Sequence, residues 1–350
     1  MVGKSDDVSI RRAEEGDAEE LLGLLQACFP RWPQESVFAH ERPLEFFRWK
    51  HMANPAGASL IVVAEAAGRI VAMRAYMPWP LSVGRETYGA RQGVDIATEA
   101  AYRGRGINSA VIRHQLAMFS GTPPMTLGLP NQMSKSQSAK FGHQVVKEVP
   151  LWIRPQRPLR LAGGLRRLRT REEARPLPAV DAPAAPQALR EATGVDELLR
   201  DRGGAIGGYR TAHDLESLAW RYDGMLGDYR AIVETGEDGK AAGIAIFRLR
   251  RRRGALVELS VCELFVRPGD SATARTLLRR VGESAPADHV AAVAGPGLDR
   301  AVLARAGFVR SPVGGTAFGL NVYGREMRPD PLSPEEWSLS LGDIERLQLC

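Results

Sequence analysis

The residues best suited to chemistry sit together at Arg103-Gly104-Arg105-Gly106-Ile107-Asn108-Ser109. Two glycines so close let the backbone turn sharply and bring its N–H groups near a ligand. A helix that starts straight after such a turn presents unpaired N–H groups and the positive end of its dipole, and both favour phosphate. Arg103 and Arg105 add two cations at the same place. The pattern is not the nucleotide P-loop, because no Gly-Lys-Ser/Thr follows. Nor is it the dinucleotide fingerprint, which needs a third glycine and a ribose-binding acid about 20 residues on. The chemistry to expect is the binding of phosphate by a bare helix end.

The flanking elements must position that loop. From Gln92 to Thr98, Val94, Ile96 and Thr98 alternate with Gly93, Asp95 and Ala97, which reads as a strand. After the loop, Ile107, Val111, His114 and Met118 form one helical row, with Ile112, Leu116 and Phe119 beside it. So wide an apolar face belongs against a sheet. Upstream come a short strand at Val8–Arg11, a leucine-rich helix after Asp17 and a second helix at Leu44–Met52. His51 in that helix reads as exposed. Leu60–Ala66 and Ile70–Tyr76 form a hairpin about Gly68-Arg69, and Met77-Pro78-Trp79-Pro80 is expected to interrupt pairing. Downstream are a strand at Met125–Leu129, a short helix at Ser134–Lys140 and a single strand at Gln144–Ile153.

A chain of 350 residues has room for two domains. Its net charge of +6 comes mostly from arginine, and no aromatic-interleaved basic strand or recognition helix accompanies it. Nucleic acid is therefore not an expected partner. Cys28, Cys262 and Cys350 are widely spaced, without CxxC pairing, and fit a reducing compartment rather than a disulfide framework. The longest clear apolar run, Leu60–Ala64, is far too short to span a membrane, and the first residues lack a signal region, so a cytoplasmic location is expected. Between Arg154 and Ala192, Arg166, Arg167, Arg169 and Arg171 crowd a stretch broken by Pro176, Pro178, Pro183 and Pro186. This reads as a surface linker, either simply solvated or offering peripheral contact to an anionic surface.

The loop resembles the acyl-CoA pyrophosphate loop of the GNAT (GCN5-related) N-acetyltransferase superfamily, Gln/Arg-x-x-Gly-x-Gly/Ala. Arg103, Gly106 and Asn108 stand at its three defining positions, Asn108 departing from the usual Gly/Ala. The element order over residues 7–153 is similar to that superfamily's. A weaker echo follows: Trp220-Arg221-Tyr222 repeats Trp49-Lys50-His51, and Arg305-Ala306-Gly307-Phe308 repeats Lys140-Phe141-Gly142-His143. Where the loop should recur stands Arg267-Pro268-Gly269-Asp270-Ser271, whose aspartate would fill the anion site. The resemblance implies an α/β (α+β) fold of two tandem GNAT-like domains, each a mixed, mostly antiparallel sheet flanked by helices, with the second copy degenerate. The expected boundaries are 1–155 for the catalytic domain, 156–192 for the linker, 193–328 for the degenerate domain and 329–350 for the tail.

The same resemblance implies the site. Arg103, Gly104, Arg105, Gly106, Ile107, Asn108 and Ser109, with Asn131, would hold acetyl-CoA, and the backbone of Ile96, Ala97 and Thr98 would pair with its pantetheine arm. A neutral amine attacking the thioester needs a base. Asp95 and Glu99 are the candidates, Asp95 the more desolvated and expected to have a raised pKa, with a water relay as the alternative. Ser138 stands where the superfamily places its acid tyrosine, with Ser134, Ser136, Tyr102 and His143 as substitutes. No metal is expected. The implied function is transfer of an acyl group from acetyl-CoA to an amine of a small molecule, an amino sugar or amino acid derivative. The alternatives are a Fem-type aminoacyltransferase using charged tRNA and a non-catalytic acyl-CoA-binding sensor.

Overall fold

The computed structural model describes residues 8–33, 41–119, 124–129, 139–166, 176–205, 207–252, 256–295, 298–312, 315–323 and 327–348. In chain order the first half runs β1 (Ser9–Arg12), α1 (Ala18–Cys28), α2 (Pro43–His51), β2 (Leu60–Ala66), β3 (Arg69–Val83), β4 (Glu86–Thr98), α3 (Ile107–Met118), β5 (Met125–Gly128) and β6 (Gln144–Val149). Then follow β7 (Leu151–Pro155), α4 (Pro158–Arg166), α5 (Ala185–Glu191), α6 (Val195–Ala205), β8 (Tyr209–Thr211) and α7 (Leu215–Arg221). The rest is β9 (Tyr229–Thr235), β10 (Ala241–Arg251), β11 (Val257–Val266), α8 (Ser271–Glu283), β12 (His289–Val293), α9 (Arg300–Arg305), β13 (Val309–Arg310), β14 (Thr316–Val322) and α10 (Leu341–Gln348).

Ala67 and Gly68, both left-handed at φ 51° and 74°, make the tight turn that joins β2 to β3. β3 does not stop at its prolines, as the sequence suggested, but pairs with β4 from Ala72↔Thr98 to Val83↔Glu86. The carbonyl of Pro78 accepts from Asn54, and that of Pro80 from the backbone of Ala212, so both residues turn their hydrogen-bonding edge away from β4. On that edge β2 has ended opposite Tyr76 and β8 begins only at Leu81, so neither missing N–H breaks a ladder.

The first sheet has the order β1-β2-β3-β4-β5-β14-β6, with β8 added beside β3; the second has the order β13-β7-β12-β11-β10-β9. The stretch expected as one strand at Gln144–Ile153 is two, divided at Pro150, which lacks the N–H a continuous ladder needs. At that proline the chain crosses over: β6 stays in the first sheet, and β7 lies between β12 and β13 of the second. β14 makes the return crossing and fills the place between β5 and β6. Each half thus lends a strand to the other.

Corresponding residues of the two halves meet. Trp49 and Trp220 stack with centroids 4.8 Å apart, and each indole N–H donates to the other's carbonyl, as in a two-fold interface. One apolar core runs through both halves, joining Leu21, Leu25, Phe46 and Phe47 to Tyr222, Ile244 and Phe265. The segment read as a surface linker contributes α5, whose Ala185, Ala188 and Leu189 are buried in that core. Its residues Arg167, Arg169 and Arg171 lie outside the described residues.

Candidate active site

Gly104 and Gly106 are both left-handed, at φ 75° and 78°, and Gly106 is the residue that caps α3. A glycine has no side chain to spend on the cap, so the first-turn N–H groups of Ile107, Asn108 and Ser109 have no intrahelical partner and no side-chain cap. Among the described residues, a Cβ built on either glycine meets nothing within 4 Å, which leaves space before the helix end. The two arginines are placed by Tyr102 and by β4. Arg105 lies 5.0 Å over the buried Tyr102 ring, and Arg103 Nε donates to the Thr98 carbonyl at 2.9 Å. Open backbone donors flanked by two guanidinium groups fit a diphosphate.

Beside this cradle the sheet comes apart. β4 and β5 are parallel but share only the rungs Arg91↔Thr126 and Gln92↔Leu127. Beyond them, no strand among the described residues lies against that edge of β4 from Gly93 to Thr98. The backbone of Ile96, Ala97 and Thr98 thus borders the gap, although the Thr98 carbonyl already accepts from Arg103 and from Cys28 Sγ.

At the mouth of the gap the β3–β4 register steps from Ala75↔Val94 to Arg74↔Ile96, leaving Asp95 as an extra residue in left-handed backbone at φ 42°. This bulge drives the Asp95 carboxylate into the α2 side of the sheet. There Trp32 Nε1 donates to Oδ1 at 3.0 Å, while Lys50 Nζ at 2.6 Å and His51 Nε2 at 2.9 Å share Oδ2. The raised pKa expected for Asp95 is therefore corrected. Burial does push it up, but the Lys50 ammonium and the His51 hydrogen bond outweigh burial and hold it below the usual carboxylate range. With three donors on its two oxygens, Asp95 anchors the bulge. His51, expected at the surface, is 1 % exposed. Burial lowers its pKa, so it is neutral near pH 7, donating from Nε2 to Asp95 and accepting at Nδ1 from Ser59. Glu99 closes the far end of β4, where Arg69 binds both its oxygens at 2.6 and 3.0 Å. Asn131, Ser134, Ser136 and Ser138 lie outside the described residues.

At the other lip of the gap stands His143, which the sequence offered only as a substitute acid, with a partner that sequence reasoning passed over. His143, just before β6, sets Nδ1 3.1 Å from Asn321 Oδ1 on β14. The Asn321 amide nitrogen donates to the Phe141 carbonyl, so its oxygen faces the ring as an acceptor, and the imidazole proton sits on Nδ1. Nε2 is buried without a partner among the described residues. Burial, aided by the nearby Arg74 cation, holds this imidazole below its ordinary pKa against the opposing Asn321 bond. Asn321 left no signal in the sequence, because only the strand exchange brings it there.

The second half builds the same parts and closes them. β11 leaves β12 after Ser260, but α10 packs on β11, and Gly342 sits so tightly against Glu263, Tyr222 and the Cys262 carbonyl that no Cβ fits. At the start of α8, Asp270 Oδ1 accepts from Thr273 N at 3.0 Å, filling the anion position with its own carboxylate. A cavity of about 580 Å³ lies here, lined by Arg85, Arg210, His213, Glu263 and Asp343, and it touches none of the residues from Arg103 to Ser109. His213, Glu263 and Asp343 approach each other within 4.8 Å, a spacing that could hold a metal ion, and the buried Arg221 guanidinium already faces the two carboxylates. Among the described residues, no helix is long and apolar enough to cross a membrane.

Residues 9–134 match the family model described as an acetyltransferase (GNAT) domain. Three solved structures have a similar fold. A probable N-acyltransferase of unknown function from Enterococcus faecalis has a TM-score of 0.63 at 12% identity, over 90% of this chain and 72% of that one. A GCN5-related N-acetyltransferase from Anabaena variabilis gives 0.62 at 15%, over 90% and 72%. Another from Kribbella flavida gives 0.59 at 18%, over 91% and 71%. At such identities the likeness carries the fold alone. No curated protein sequence matches.

Proposed function

Residues 9–134 place this chain in the GNAT superfamily of N-acyltransferases, and from that premise we propose that its donor is acetyl-CoA and its acceptor the amine of a small molecule, an amino sugar or amino acid derivative. The observation that carries the donor assignment is the bare α3 terminus behind Gly104 and Gly106, opening onto the edge that β4 leaves beyond Gln92. The N–H groups of Ile107, Asn108 and Ser109 bind the diphosphate, with Arg103 and Arg105 at its flanks. The backbone of Ile96, Ala97 and Thr98 lines the pantetheine arm, and an N–H near the bulge polarises the thioester carbonyl. Asn131 completes the coenzyme contacts. Ser138, at the position of the superfamily's acid tyrosine, is a candidate proton donor to the leaving thiolate and a weaker acid than tyrosine. Glu99 is paired with Arg69 and Asp95 with Lys50, so these carboxylates shape the site.

In this reading residues 1–155 carry catalysis, and 193–328 are a copy that has given up the coenzyme, since Asp270 and α10 fill its two binding features. The protein works in the cytoplasm.

Isothermal titration tests the donor. Acetyl-CoA is expected to bind the parent, and Gly106→Trp, which puts a β-carbon on left-handed backbone and an indole in the cradle, is expected to weaken binding by at least about 30-fold. Equal affinity for both proteins would remove the assigned loop. Mass-spectrometric screening of amino sugars and amino acid derivatives for an added acetyl group then identifies the acceptor.

A further inference from the structure

Gly93 and Gly128 are the first residues beyond the last rung between β4 and β5. Arg74 and Tyr76 stand against Gly93: a Cβ built there lies 3.5 Å from Tyr76 Cε1 and 3.9 Å from Arg74 Nη2. His143 stands against Gly128, with its Cε1 3.3 Å from the same construction. Gly128 pairs with Gly319 of β14, where a Cβ would come within 2.6 Å of His143 Nε2. The imidazole therefore lies on a floor of two facing glycines, and a side chain at Gly319 would strike it while one at Gly128 would press on it. By the β4–β5 register Gly128 comes level with Gly93, two residues before the bulge, and the ring is near enough to Arg74 to feel its charge. From the bulge to Thr98 β4 runs three residues, about 10 Å along the edge that leads to the diphosphate cradle.

We propose that His143, held in its Nδ1–H form by Asn321 of the exchanged strand, carries the reaction's proton from the acceptor amine to the coenzyme's sulfur. This rests on the acyltransferase reading above. As the amine nitrogen bonds to the acyl carbon and the carbon–sulfur bond breaks, Nε2 takes one proton from nitrogen and returns it to the thiolate. Atoms and charge balance, and the ring ends as it began. The groups facing His143 suit this task. Burial and Arg74 on β3 oppose a lasting imidazolium, so the ring rests neutral, with a buried Nε2 that has no partner among the described residues, and gives the proton up readily. Tyr323, pushed up to about 12 by burial, is neutral and bonds Thr126 at 3.0 Å, and Tyr76 accepts from Arg74 Nε at 3.0 Å. Asn321 is a positioning residue, since it fixes which nitrogen is bare.

The test uses the full chain with 15N-labelled histidine and coenzyme A as probe. Near pH 7.5 the His143 signals should report protonated Nδ1 and bare Nε2, and saturation with coenzyme A should move Nε2. His143→Gln should keep coenzyme affinity within about threefold while kcat falls about 100-fold, the lower end for a lost acid–base group. Asn321→Asp sets a carboxylate beside the ring and should move the acid limb of the kcat profile to higher pH by about one unit, a shift that a purely structural residue would not cause. A proton on Nε2, an Nε2 signal unmoved by bound coenzyme, or a His143→Gln kcat within threefold of the parent would each overturn the proposal. Failure of coenzyme A to bind the parent, read by calorimetry, would instead remove the acyltransferase reading and this proposal with it.

Discussion

Asp95 shows how far a residue's neighbours can reverse its sequence reading. Flanked by Val94 and Ile96, it was bound to be desolvated, and desolvation alone raises a carboxyl pKa. The outcome turned on Lys50 and His51, more than forty positions away, whose side chains are 4 % and 0 % exposed beside it. Asp95→Asn leaves the Lys50 ammonium buried without its counter-ion, so urea unfolding should show a loss of about 3–5 kcal/mol. A midpoint equal to the parent's would refute the anchoring role. The acid side follows by linkage. His51 is harder to protonate in the folded chain than in the unfolded one, so stability falls as pH drops below about 6.5, where the unfolded chain takes up the proton first. Asp95 lies below its unfolded value, so its contribution is present above about pH 4 and lost as pH falls through the folded value. His51→Gln should therefore melt at a flatter set of temperatures between pH 7 and 5, even though all are lower; an unchanged slope would contradict this assignment.

Two helices of like position, α3 and α8, differ in what satisfies their first N–H groups. α3 begins behind a left-handed glycine and leaves them for a ligand, whereas α8 spends them on Asp270. Helix capping by aspartate contributes about 1 kcal/mol, so Asp270→Ala should cost about that much in stability. It should create no coenzyme site, because α10 still occupies the gap along β11. Calorimetric binding of acetyl-CoA at a second site in that variant would show that the aspartate alone had closed the copy. β3 teaches a related lesson. Its prolines looked like breaks, and they became harmless because their missing donors face a stretch where neither neighbouring strand needs them.

Across the whole molecule, the exchange of β7 and β14 makes the halves interdependent. A chain ending at residue 150 would leave β5 and β6 without the strand between them, with unpaired edges and no Asn321 for His143. Such a chain should show no cooperative melting by circular dichroism; a sharp transition would refute the interdependence. In the second half burial, with Asp343 nearby, pushes Glu263 up to about 7. The folded state then binds a proton that the unfolded chain releases, so stability falls as pH rises from about 4.5 to 7. Glu263→Gln should flatten that fall in melting temperature, and a parallel curve would place the ionisation elsewhere.

The sequence by itself determined the local chemistry: a strand, a glycine turn, a bare helix end, and the weaker copy with an acid in its place. These are short-range matters, decided by backbone freedom and by periodicity within some thirty residues. The tertiary structure alone decided which strands completed each sheet, what charge stood beside Asp95, and which amide held His143. Those outcomes depend on contacts between residues far apart in the chain, and no spacing along the chain records them.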